Sequence, residues 1–419
     1  MSGGSLDLVL RGGRIHGGQN EDLVDIGVRR GVIADIAPSI ATDARSINLE
    51  GCLTFSGFVE THIHLDKACI LGQCGYSESL SEAIAKVSAL KREFTVEDVY
   101  NRGRMVLEKA LVHGTTRMRT HVEVDPRIGL RSFEAISQLK KDYAWAIDLQ
   151  ICVFPQEGLF NDPGTDELLV QALEKGADLI GGCPYTDTVP KAQIERIFEL
   201  AENYDVDIDF HLDFDLEPSK MDLFEVCRQT AARGRGGRVA IGHVSKLSAA
   251  APQLLDKAAS ALSDAGVAVT VLPSTDLYLM GNGNTHSVPR GVAPAHRLLQ
   301  KGVMCSISTS DVLNPFTPYG DCSLLRMANL YANVQQVGKP EDLSQCFEMV
   351  TNHSARVLNL DDYGVRVGNP ADLVVLDASD PVAAVSELVQ PLFGLKRGRE
   401  TFRRPRPDIF RPATAAAAE

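Results

Sequence analysis

Two histidines one residue apart, His62 and His64, stand in the run Glu60-Thr61-His62-Ile63-His64-Leu65-Asp66-Lys67. They follow the apolar segment Leu53–Val59, which reads as a buried strand. Residues two apart in a strand project to the same face, so both imidazoles point one way. Two imidazoles at a strand end can chelate a divalent metal, and such a metal makes water nucleophilic near neutral pH. A His-x-His pair alone carries little weight, so the elements that would position it matter.

Between residues 56 and 362 the chain alternates strand and helix. Apolar runs begin near Phe58, Thr116, Ile147, Ala177, Val206, Arg238, Val267 and Val303. The gaps hold helical patterns: Ile194, Ile197, Phe198 and Ala201 follow Pro190 at helical spacing, and Thr95-Val96-Glu97-Asp98 opens like a helix cap. Eight such units predict a (β/α)8 barrel, whose sites lie at the C-terminal ends of the strands. A doubly wound sheet is the competing architecture, but no Gly-x-Gly-x-x-Gly follows the first central strand. Residues 1–55 and 363–410 alternate apolar and polar residues between tight turns, as in antiparallel strands. Together they predict one small β-sandwich made from both termini, followed by a disordered tail over 411–419.

On that reading several strands end in reactive side chains. Strand one ends in His62 and His64, strand two in His121, and strand three in Phe154-Pro155-Gln156-Glu157-Gly158. Strand five, Val206–His211, places Asp207, Asp209 and His211 on one face. Strand six ends in His243 and strand eight in Ser308-Thr309-Ser310-Asp311. His121 reads as a packed rim residue rather than a ligand. Lys67 lies beyond strand one, the wrong place for a carbamylated lysine ligand on strand four.

Composition narrows the partners. Lys plus Arg minus Asp plus Glu is 42 − 55 = −13, which disfavours nucleic acid and anionic membranes. The 9 cysteines form no Cys-x-x-Cys pair, as expected of reduced thiols. No apolar run is long enough to cross a bilayer, and a cytoplasmic protein is expected.

These residues resemble the amidohydrolase superfamily, in particular its cytosine deaminase-like branch with the aminohydrolases of s-triazine breakdown. The resemblance rests on Glu60–Asp66, Arg119–Asp125, Ile147–Gly158 and His353–Gly364, in order along nearly the whole chain. It implies a distorted (β/α)8 barrel with a terminal β-sandwich. It also implies one divalent transition metal, zinc or iron, held by His62, His64 and His211. Gln156 would hold the amide edge of a small N-heterocyclic substrate, and His243 would lie beside the activated water. The implied reaction is cleavage of a C–N bond by attack of metal-activated water, of the aminohydrolase or deaminase type, in a homo-oligomer. The chain departs from the family twice. Phe214 replaces the glutamate that shuttles protons, and a gapless alignment puts Ser310 where the family has its aspartate ligand and base. Asp311 is the expected replacement as both ligand and base, and the acidic loop Asp213–Glu217 is a candidate shuttle. Two alternatives remain: a cyclic amide or amidine ring hydrolase, and a retired amidohydrolase barrel that only binds.

Overall fold

The structure, a computed structural model, describes residues 5–17 and 23–410; the expected tail over 411–419 lies outside them. Five strands come first: β1 (Leu8–Ile15), β2 (Val24–Arg29), β3 (Val32–Ala37), β4 (Arg45–Asn48) and β5 (Leu53–Phe55). Eight more alternate with helices: β6 (Phe58–Ile63), β7 (Thr115–Glu123), β8 (Asp148–Phe154), β9 (Leu179–Ile180), β10 (Asp207–Leu212), β11 (Val239–His243), β12 (Val267–Val271) and β13 (Cys305–Ile307). Then come β14 (Leu373–Leu376), β15 (Pro391–Lys396) and β16 (Arg399–Arg403).

Strands β6 to β13 form one parallel sheet in sequence order. Its two edges meet above β13, where Ser310 bridges to Ile63 in parallel register. There the Ser310 N–H donates to the His62 carbonyl at 2.9 Å, and the His64 N–H donates to the Ser310 carbonyl at 2.8 Å. The barrel is therefore closed by the backbone of the two histidines of the motif. Eight strands leave an interior that side chains fill. Here the filling is polar: Thr61, Ser306, Ser308 and Thr270 form a buried hydroxyl chain with oxygens 2.6–2.9 Å apart.

The helices follow local rules. Thr95 Oγ1 accepts from the Asp98 N–H at 3.1 Å and starts Val96–Val112. Pro190 opens Pro190–Tyr204, which buries Ile194, Ile197, Phe198 and Ala201 against the sheet and ends at Asp205 in a left-handed turn. Among the described residues no helix is long and apolar enough to cross a membrane. All nine cysteines are free.

The terminal strands make a separate sheet in the order β16-β15-β14-β5-β1-β2-β3, with β4 also paired to β1. The first half of β1 pairs with β2 and β4 and its last residues with β5, so one strand links two layers. Leu8, Leu10, Ile26 and Val28 from one layer share a core with Leu373, Val375, Phe393 and Leu395 from the other. A buried ion cluster fastens this unit to the barrel. Asp372 accepts from Lys396 Nζ at 2.9 Å and from the Arg397 N–H at 2.7 Å, and it pairs with Arg117 at the foot of β7.

Removing one member of a buried ion cluster strands its partners, which typically costs about 3–5 kcal/mol. Asp372→Ala should therefore lower unfolding stability by about that amount in a urea titration. A loss below about 1 kcal/mol would mean that Asp148, 2.9 Å from Arg117 and 2.7 Å from Lys396, neutralises both with Asp362, 3.4 Å from Arg117.

Candidate active site

β6 and β10 carry their histidines to the same end of the barrel. His62, His64, His211, His243, Gln156 and Asp311 are each no more than 3% exposed. His62 Nε2 lies 3.1 Å from His211 Nε2, which lies 3.0 Å from His64 Nε2. Burial, reinforced by the crowded imidazoles, holds His62 and His64 well below the usual histidine range, and His211 likewise. All three are thus neutral, with lone pairs available at converging nitrogens. A single proton can serve only one of these close contacts. A divalent transition metal accepts all three lone pairs, so the donor set fits one.

His121 offers a competing nitrogen, since it too comes within 4.8 Å of His62 and His211. Its ring, however, stacks on His62 at 3.8 Å and 26°. Its Nε2 faces Asp209 Oδ1 at 3.6 Å, the same oxygen that lies 3.9 Å from His62 Nδ1. The other Asp209 oxygen accepts from the buried Arg119 at 2.8 Å. His121 therefore packs behind His62, while His64 meets His211 from the other side at 3.0 Å. Asp209 and His121 form the wall that orients His62.

On the far side His243 donates from or accepts at Nδ1 to Asp276 Oδ1 across 2.7 Å. A carboxylate acceptor there favours the tautomer with hydrogen on Nδ1, which leaves Nε2 bare. Phe214, in the place of the family's shuttle glutamate, stacks on His243 at 3.7 Å and 21°. Asp213 is occupied elsewhere: it accepts from the Asp222 and Leu223 N–H groups at 2.9 and 3.1 Å.

β13 ends at Ile307, and Ser310 has φ of +67°. That left-handed turn breaks strand alternation, so Ser310 and Asp311 need not face opposite ways. Ser310 Oγ donates to Asp311 Oδ2 at 2.9 Å, and Asn314 Nδ2 donates to Asp311 Oδ1 at 2.6 Å. Ser310 thus supports Asp311, whose charge also reaches Lys67 and Tyr185.

Gln156 sits just past β8. Its Oε1 accepts from Lys67 Nζ at 3.3 Å, and its Nε2 donates to Cys183 Sγ at 3.3 Å. Lys67 Nζ also donates to Glu123 Oε1 at 2.9 Å and lies 4.2 Å from the Phe316 ring centre. Beyond Glu123, Lys91 sits among Glu123, Asp125 and Glu157. Burial, with Glu123 nearby, pushes Glu157 up to about 7.

The six residues singled out from sequence all lie at this end of the barrel. The sequence reading missed Asp276, Lys91 and Glu123, and it weighed Lys67 only as a modified ligand. Asp276 left a usable signal: a carboxylate just past the seventh strand, at the barrel end where the sites gather. Lys91 left none, because it comes from a helix end remote in sequence.

Residues 149–401 match the model of the "Amidohydrolase family". The chain is 28% identical to N-isopropylammelide isopropyl amidohydrolase of Pseudomonas sp. (strain ADP), over 94% of this chain and 96% of that one. It is 27% identical to a pterin deaminase of Rhizobium rhizogenes, over 84% and 82% of the two chains. In structure it resembles 5-methylcytosine deaminase from Klebsiella pneumoniae liganded with 5-fluorocytosine. That match has a TM-score of 0.92 and 29% identity, and covers 97% of this chain and 100% of the other.

A carboxyl raised from 4.5 to about 7 on folding stabilises the fold fully below the unfolded pKa. That contribution disappears as pH rises from about 4.5 to 7. Glu157→Gln removes the titration, so the variant should gain on the wild type across this window. The gain should approach but not exceed about 1.4 kcal/mol per pH unit. Parallel urea titrations at pH 5 and pH 8 would read it, and an unchanged difference would show that Glu157 is ionised throughout.

Proposed function

The chain belongs to the amidohydrolase family, and we propose that it hydrolyses the exocyclic C–N bond of a small N-heterocycle, releasing ammonia or an alkylamine. The approach of His211 Nε2 to both His62 Nε2 and His64 Nε2, at 3.1 and 3.0 Å, carries this reading. Support for the substrate class comes from relatives named for an isopropylammelide, a pterin and a methylcytosine.

His62, His64 and His211, together with Asp311, would hold one divalent metal; zinc and iron both accept such a donor set. When bound, the metal lowers the pKa of water and polarises the reacting carbon. The remaining roles belong to the chain. Gln156 carries both a donor and an acceptor, held by Cys183, Tyr185 and Lys67, which suits the alternating donor and acceptor edge of a lactam. Asp311 is the base that takes the proton of the attacking water. Its carboxylate is held by two donors, Ser310 Oγ and Asn314 Nδ2, that fix its direction. His243, tied at Nδ1 to Asp276, presents a bare Nε2 to the reacting group, takes up there the proton that Asp311 has removed from the water, and passes it to the departing nitrogen. Phe214 keeps water from that imidazole by covering its face.

Protein produced with zinc or iron supplied should contain about one equivalent of metal. His211→Ala should lose it with little change in far-UV circular dichroism. A screen of aminopyrimidines, pterins and aminotriazines for ammonia or amine release would then find the substrate. Wild-type protein that holds no metal and releases no amine would point instead to a barrel retired from catalysis.

The two candidates on the eighth strand separate kinetically. Asp311→Asn should cost several orders of magnitude in kcat, because it removes the carboxylate that takes the proton of the attacking water. Ser310→Ala should cost about tenfold or less, the worth of one orienting hydrogen bond. The reverse ranking would assign the metal-side role to Ser310.

A further inference from the structure

Glu123, Asp125 and Glu157 bring carboxylate oxygens within 4.8 Å of one another, a spacing that could serve a cation. The cation is already present. Lys91, at the turn Lys91–Glu93, is 1% exposed, and its ammonium lies 2.7 Å from Glu123 Oε2 and 2.6 Å from Glu157 Oε2. It also pairs closely with Asp125 Oδ2. Burial alone would lower the Lys91 pKa, but the three carboxylates outweigh it and raise it.

Three carboxylates, Glu123, Asp125 and Glu157, meet two buried ammonium groups, Lys67 and Lys91, and the Arg127 guanidinium lies 3.7 Å from Asp125. Every carboxylate of the cluster thus faces a cation, as buried charges require.

This cluster reaches Gln156 twice. One arm runs Lys91–Glu123–Lys67–Gln156, through contacts of 2.7, 2.9 and 3.3 Å. The other runs through Glu157, the next residue along the chain. Lys67 meets the amide at Oε1, so the amide nitrogen turns to Cys183. An amide flipped end for end would present a donor to an ammonium. The arrangement therefore decides which half of the amide a heterocycle meets.

We propose that Lys91, which does not line up with the metal-side histidines at all, is a positioning residue for substrate: seated among Glu123, Asp125 and Glu157, it fixes the direction of the Gln156 amide through Lys67. The inference rests on the reading of Gln156 as a substrate contact.

A double-mutant cycle tests it on the aminopyrimidine, pterin or aminotriazine that the wild-type holoenzyme turns over fastest. Lys91→Met and Gln156→Ala should each raise KM by about tenfold with kcat within about threefold, and the double variant should match Gln156→Ala alone. Lys91→Arg should recover part of the loss, and metal content should stay at the wild-type level throughout. Should Lys91→Met not fold, Glu123→Gln, which breaks the same arm between Lys91 and Lys67, takes its place in the cycle with the same expected coupling. An unchanged KM in the Lys91 variant, effects that multiply in the double variant, or loss of metal would overturn the proposal. A Gln156→Ala variant with wild-type KM would sink the substrate reading itself, and the Lys91 proposal with it.

Discussion

Three neutral imidazoles whose nitrogens approach to 3.0–3.1 Å inside a barrel make the demand that the surrounding structure has to meet. Each ring is desolvated, and each must be aimed without water to help. The aiming is done by backbone. His62 and His64 lie on the edge strand that closes the barrel, so the bonds from and to Ser310 that complete the cylinder also fix both histidines. Closure of the barrel and placement of the two imidazoles are the same event. Around it, His243, Val244, Asp213 and Ser310 take left-handed backbone conformations, which cost of order 1–3 kcal/mol each outside glycine. The strain gathers where strands end and side chains must turn inward.

The opposite wall answers a different problem. A polar heterocycle needs a buried amide with a fixed direction, and an isolated glutamine does not supply one. Charges hold it here, and buried charges are tolerable only when paired and hydrogen-bonded. Lys67 and Lys91 are paired with Glu123, Asp125 and Glu157, with Arg127 beside Asp125. The histidine side of the site is thus built of neutral donors and the Gln156 side of compensated ions. Asp311, bonded to Ser310 and Asn314 and felt by Lys67, stands between the two.

The barrel was legible because its signal is periodic. Apolar runs from Phe58 to Val303 mark eight strands, and the structure places strands at each. The terminal sheet was legible for the same reason at β1, β2, β3 and β14, while β15 and β16 left no comparable reading. Strand-end histidines were legible because strand alternation alone determines their faces. What stayed hidden depends on pairing across distant segments. Lys91 is 32 residues from Glu123 and 66 from Glu157, and no local pattern announces such contacts. Strand alternation also misleads at Ser310, where a left-handed residue ends the register from which alternation is read.

Phe214 shows how the loss of a shuttle carboxylate can be accommodated. A glutamate at that position would bring a second acid beside His243. Phenylalanine brings none, but its ring covers the imidazole face at 3.7 Å and removes solvent from it. Desolvation strengthens the remaining electrostatic contact, that of His243 with Asp276 at 2.7 Å, because the effective dielectric falls. A single imidazole held in one tautomer by a buried aspartate can both accept and return a proton at Nε2, as two separate groups otherwise would. In the proposed reaction, proton handling therefore falls to a His–Asp pair fixed between the end of β11 and the helix Pro273–Leu279. Because the Phe214 ring also fills the space beside that imidazole, the same residue would bear there on which ring substituents fit.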